Sequence, residues 1–173
     1  DFFASCEGDD YWSLNKLENQ IKGFDDPDVG LVWGDGSSID FDGKASELKG
    51  YYGNYKTNVL NNEPIGAALI PLIFGHFLTM PSAVPMYRIK TLKDINGFYC
   101  PNKTQWIDRG TWGHLACVTK FKYLDQNFAT WRQHKKQVTR NIKDTQGYIY
   151  DFVFNDENCP EILKKEISKF KNE

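Results

Sequence analysis

Cysteine, histidine and surplus charge are all scarce in this 173-residue chain, and each scarcity removes a class of protein. The four cysteines, Cys6, Cys100, Cys117 and Cys159, include no Cys-x-x-Cys pair, so zinc ribbons and dithiol redox motifs are absent. The three histidines, His76, His114 and His134, include no pair with the spacing of a helical zinc site, and no metal or cofactor is expected. Nucleophile elbows of the Gly-x-Ser-x-Gly type, phosphate loops and Gly-x-Gly-x-x-Gly turns are missing as well. The longest apolar run, residues 65–80, is broken by Pro71, Gly75 and His76 and is too short to cross a bilayer. A formal net charge of −2 excludes a generally basic nucleic-acid binder.

What is present suits one globular domain over residues 1–173. Aromatic residues make up 15% of the chain, enough to build a core largely from rings. The chain opens Asp1-Phe2-Phe3-Ala4-Ser5-Cys6, which reads like the mature end left by removal of a signal peptide. An even number of cysteines then reads as two disulfides in a secreted protein, with Cys6–Cys159 and Cys100–Cys117 favoured among the three pairings. The triplet Asn102-Lys103-Thr104 is a glycosylation sequon, with Asn102 as acceptor.

The apolar pattern changes period along the chain. Residues 10–23 read as a helix capped by Asp9 or Asp10, with Leu14, Leu17, Ile21 and Phe24 on its core face and Gly23 at its stop. A second helix follows Pro160, with Ile162, Leu163, Ile167 and Phe170 as its stripe. Between them lie short β-type segments: 31–33, 38–41, 51–60, 67–77, 84–90, 97–100, 114–124, 128–132 and 148–154. Residues 133–143 fit a short helix or a strand. The expected fold is α+β: a curved antiparallel sheet, barrel-like if it closes, flanked by an N-terminal and a C-terminal helix.

Charge is divided unevenly. Residues 1–42 carry a net −9 and residues 43–173 a net +7. The two parts could attract each other within the fold or steer a charged partner. The segment 132–143 holds Arg132, Lys135, Lys136, Arg140 and Lys143 just after Phe128 and Trp131, a composition that can contact a polyanion. The aspartates of 35–42 miss the calcium-loop spacing, because the fifth position from Asp35 is Ile39.

Three functions follow as expectations. The first is a secreted, disulfide-stabilised effector or binding protein, monomeric and without catalysis, acting on a protein or small ligand outside the producing cell. The second is a ribonuclease-like enzyme. A helix followed by an antiparallel sheet resembles the small microbial ribonucleases, and 51–58 is similar to their Tyr-Pro-His-x-Tyr-x-Asn stretch, without its Pro-His. Acid–base cleavage would then use His76 or His114 with Glu63 and Arg88 or Arg109. The third is a carrier of an apolar ligand, similar to the lipocalins in its terminal helices and a disulfide near the C-terminus. Here Gly30-Leu31-Val32-Trp33 is one residue longer than that family's Gly-x-Trp.

Overall fold

The computed structural model describes residues 1–48, 55–73, 81–99 and 107–137, together with Glu161 and Lys164. The fold is α+β, built on a six-stranded sheet curled into a half-barrel. Its strands are β1 (Phe2–Ala4), β2 (Tyr11–Trp12), β3 (Val29–Ile39), β4 (Ala45–Leu48), β5 (Met86–Arg88) and β6 (Lys120–Arg132). The helices are α1 (Lys16–Lys22), α2 (Thr57–Leu60), α3 (Leu69–Ile73), α4 (Ile89–Asp94) and α5 (Ile107–Val118). Strand order is β1-β5-β3-β6-β2, with β4 paired to the far half of β3. All pairings are antiparallel except the central one: β3 and β6 run parallel from Val29↔Lys120 to Ile39↔Arg132. The sheet is therefore mixed, where a wholly antiparallel one was expected.

Alternation from Leu31 to Trp33, with a register irregularity between Val29 and Leu31, divides the β3 side chains between two cores. Leu31 and Trp33 join Leu60, Leu69, Leu72, Tyr87, Trp112, Leu115, Phe121 and Phe128 under α2, α3, α4 and α5. Val29 and Val32 join Phe24 and Met86 on the other face. The indole N–H of Trp33 donates to the Leu60 carbonyl at 3.1 Å, and that of Trp112 to the Tyr87 hydroxyl at 2.9 Å. Both large rings are thus buried with their polar atoms satisfied. The interior face of the half-barrel is filled by these side chains.

Several segments differ from the pattern reading. Residues 57–60, 69–73 and 114–118 are helical where strands were expected; the last belong to α5, Ile107–Val118. Helix α1 has the expected period with a different phase. Leu14 is fully exposed, and Leu17 and Ile21 are about half exposed, whereas Lys16 and Gln20 are completely buried. The helix is turned because the sheet offers it carbonyls rather than apolar surface. The Lys16 ammonium donates to Gln20 Oε1 and to the Val84 carbonyl. Gln20 Nε2 donates to the carbonyls of Val32 (3.2 Å) and Val84 (2.9 Å). Asn15, not Asp9 or Asp10, occupies the cap position. Of the expected C-terminal helix, Glu161 and Lys164 are described and helical; the remaining apolar stripe and 148–154 lie outside the described residues. Among the described residues no helix is long and apolar enough to cross a membrane.

One buried amide fastens the connection that enters the helical layer. Asn62 is fully buried with φ of 54°, a left-handed conformation that asparagine tolerates better than most residues. Its Nδ2 donates to the carbonyls of Ala116 (2.8 Å) and Thr119 (2.7 Å), and its Oδ1 accepts from the N–H groups of Gly66 and Ala68, both at 2.9 Å. All four hydrogen-bonding positions of the amide are used.

Two outcomes test these anchors. Asn62→Ala leaves two buried carbonyls and two N–H groups short of a partner, and should cost about 4 kcal/mol in urea unfolding. Burial lowers the Lys16 pKa from 10.5 to about 7. Between those values the unfolded chain holds a proton that the folded one has released, so folding stability should rise with pH there, by up to about 1.4 kcal/mol per unit. Lys16→Met should flatten that slope, measured as urea midpoints at pH 7 and pH 9.

Candidate functional site

Strands β1, β3 and β6 run in one direction, so their C-terminal ends share an edge of the sheet. In open α/β sheets this is the edge where ligands bind. Two segments meet there: the loop 5–10, which follows β1, and the turn 133–137, which follows β6.

The loop is short and internally closed. The Trp12 indole N–H donates to the Ser5 carbonyl at 3.2 Å, the Cys6 thiol to the Asp10 carbonyl at 3.7 Å, and the Asp10 N–H to the Glu7 carbonyl at 3.0 Å. Its outer contacts come from β6. Arg132 Nε donates to the Asp9 carbonyl at 2.9 Å, and the Arg132 N–H to Asp10 Oδ1 at 3.0 Å. His134 Nε2 lies 2.6 Å from Asp9 Oδ2, and its Nδ1 accepts the Lys136 N–H at 3.2 Å, so both ring nitrogens are engaged. Arg132 closes β6 and His134 follows two residues later, and both side chains reach the acidic loop.

The acids of this edge are electrostatically strained. Burial raises the Asp10 pKa from 3.8 to about 6; Glu7 and Asp9 add to the rise, and the hydrogen bond from Arg132 opposes it. Asp108, in the first turn of α5, is raised to about 6 by burial and then by Glu7. Glu7 therefore contributes to the rise of both carboxyls. The Asp108 charge in turn raises the buried Tyr87 hydroxyl above the ordinary phenol value, after burial itself. Burial and the charges of Asp10 and Glu7 also raise the Cys6 thiol, keeping it protonated.

Among the described residues no group of three or more His, Cys, Asp or Glu side chains converges closely enough to hold a metal ion by itself. Because Nδ1 accepts the Lys136 N–H, Nε2 carries the proton that Asp9 accepts, so Asp9 and His134 offer two donors only to a cation that displaces that proton. That number suits a divalent cation whose other ligands are water and the phosphate oxygens of an incoming molecule.

The residues singled out in the sequence are dispersed. Glu63 lies 3.7 Å from Lys120, which also meets Asp26 at 3.2 Å. This cluster borders a recess of about 240 Å³ at the opposite edge, where β3 and β6 begin. Arg88 sits over the rings of Phe2 and Phe24 and donates to the carbonyls of Phe24, Asp26 and Val29. Arg109 and His114 are both on α5, with the His114 ring edge-on to Tyr99 at 5.8 Å. Lys135 and Lys136 are exposed in the turn after β6. His76, Asn102, Arg140 and Lys143 lie outside the described residues, as do Cys100 and Cys159. Each expected disulfide includes one of those cysteines. Cys6 is an exposed thiol and Cys117 is buried. Asp9, Asp108 and His134 were not among the expected catalytic residues. The acidic loop and the basic segment were both visible, but their meeting across 125 positions was not.

No family model matches the chain, and no curated protein matches it. Among solved structures, it is similar to S. aureus TarS 1–349 in complex with UDP-GlcNAc, with a TM-score of 0.54 and 14% identity. The match covers 96% of this chain and 49% of that one, so the chain spans about half the length of the TarS structure. The likeness is one of fold.

Proposed function

We propose that this chain carries the diphosphate-binding and proton-accepting part of a glycosyltransferase that uses a nucleotide sugar. The observation that carries the reading is the Asp9–His134 contact at the C-terminal strand ends; the half-buried Asp108 opens α5 and, like Asp10, feels the charge of Glu7. TarS, of similar fold, is a glycosyltransferase whose structure holds UDP-GlcNAc, and that ligand supplies the substrate class.

The chemistry needs few groups. An acceptor hydroxyl attacks the anomeric carbon, the bond from that carbon to the diphosphate breaks, and the hydroxyl proton must leave. Asp108 has the properties of a general base: a carboxylate with its pKa lifted to about 6, close to working pH. A divalent cation that displaced the proton shared by Asp9 and His134 would be held by those two side chains against the diphosphate, where it would neutralise the charge gathering on the leaving group. Arg132 and the backbone of the loop keep Asp9 in place. The reading as an exported, non-catalytic binder rests on the four cysteines and draws no further support from the exposed Cys6 thiol.

Calorimetric titration of the protein with UDP-GlcNAc and Mn²⁺ should show saturable binding that EDTA abolishes. Asp9→Asn should weaken it by about tenfold or more, as for loss of one charged ligand. Absence of binding by the unaltered protein would remove the proposal. Turnover, followed as UDP release, should rise with pH through about 6, as Asp108 loses its proton, and then level off. Asp108→Asn should lower the plateau by about 10²-fold or more while leaving UDP-GlcNAc affinity within a few fold.

A further inference from the structure

Arg132, expected to contact a polyanion, also holds the acidic loop. Its Nε donates to the Asp9 carbonyl at 2.9 Å, its N–H donates to Asp10 Oδ1 at 3.0 Å, and its guanidinium carbon lies 5.7 Å from the centre of the Tyr11 ring. One residue at the end of β6 thus touches three consecutive residues, 9, 10 and 11. Strand β2 begins at Tyr11 and pairs with β6 two residues earlier, Tyr11↔Thr130. The acidic loop is therefore tied to β6 twice, first by the ladder and then by the Arg132 side chain. Between those ties and β1, residues 5–10 have no ladder of their own.

We infer that Arg132 is a positioning residue, which fixes the backbone at Asp9 so that the Asp9 carboxylate stays beside His134 at the strand-end edge where the diphosphate would dock, rather than turning to solvent. This rests on the nucleotide-sugar reading for its ligand, but the loop-holding half stands apart from it. The geometry explains why the side chain must be arginine. Nε sits on the stem side of the planar guanidinium, so it can bond the Asp9 carbonyl while the plane lies over Tyr11. Lysine, with one flexible terminal donor, can make the bond but not both contacts. The main-chain bond from Arg132 to Asp10 survives any substitution, so a variant isolates the side chain.

The test compares unaltered protein, Arg132→Lys and Arg132→Ala by amide hydrogen exchange and by titration with UDP-GlcNAc and Mn²⁺. In Arg132→Ala, the amides of residues 7–10 should exchange about tenfold faster while those of β3 keep their rates, and affinity should fall about tenfold, the worth of one hydrogen bond from a charged donor. Arg132→Lys should lie between. A general loss of stability would move β3 with the loop and would overturn the inference, as would loop exchange unchanged in Arg132→Ala. Faster loop exchange with unaltered affinity would overturn the orientation of Asp9 toward the ligand. If the unaltered protein binds no UDP-GlcNAc yet Arg132→Ala still loosens the loop, the nucleotide reading fails and the loop-holding role stands.

Discussion

A lysine with no exposed surface holds the arrangement together. Lys16 enters the protein beneath α1, and its ammonium ends on the Val84 carbonyl and Gln20 Oε1, with the rings of Trp12 and Phe128 5.4 and 5.7 Å away. Burying such a group without partners would be prohibitive. With two acceptors and two aromatic faces it becomes a fixed point. It settles the rotation of α1, the approach of that helix to β3 through Gln20, and the place of Trp12. Trp12 in turn closes the loop bearing Glu7, Asp9 and Asp10. The site thus inherits its geometry from a polar contact beneath the sheet, several residues from any group that would touch a ligand.

Part of this was legible. Of the alternating stretch 118–123, residues 120–123 lie within β6, as does the expected strand 128–132, and Leu31–Trp33 lies within β3. The period of α1 was readable too. Its phase was not, because apolar spacing assumes that the sheet presents apolar surface, and here carbonyls of Val32 and Val84 demanded donors instead. Residues 69–73 show the ambiguity of short apolar runs, which suit a strand or a buried helix equally. In α5, Gly110 and Gly113 argue against a helix. Packing overrides that preference: a side chain at 110 would come within 2.4 Å of the Tyr99 ring, so glycine belongs there for close approach.

The site was legible only in fragments. The surplus of acid in 1–42 and of base in the remainder did foretell an attraction, and Arg132 with His134 against Asp9 and Asp10 is one place where it is realised. Asp108 could not be found by pattern, since its raised pKa comes from burial and from Glu7, and neither leaves a mark in spacing. Histidine was the useful clue, but His134 became meaningful only once its partner, 125 positions away, was known.

The parallel pairing of β3 with β6 is interrupted at Gly34, Asp35 and Gly36, where β6 uses extra residues to keep up. At Gly34 any side chain would collide with the carbonyls of Leu124 and Gln126, so the kink is closed to substitution. The interruption divides one long strand into two lengths that both feed the interior, Phe121 before it and Phe128 and Ala129 after it. The strand turns to the acidic loop only at its end, through Arg132. In the outer length, sequence drift that spares the hydrophobic interior is therefore confined to the stretch from Thr130 to Arg132.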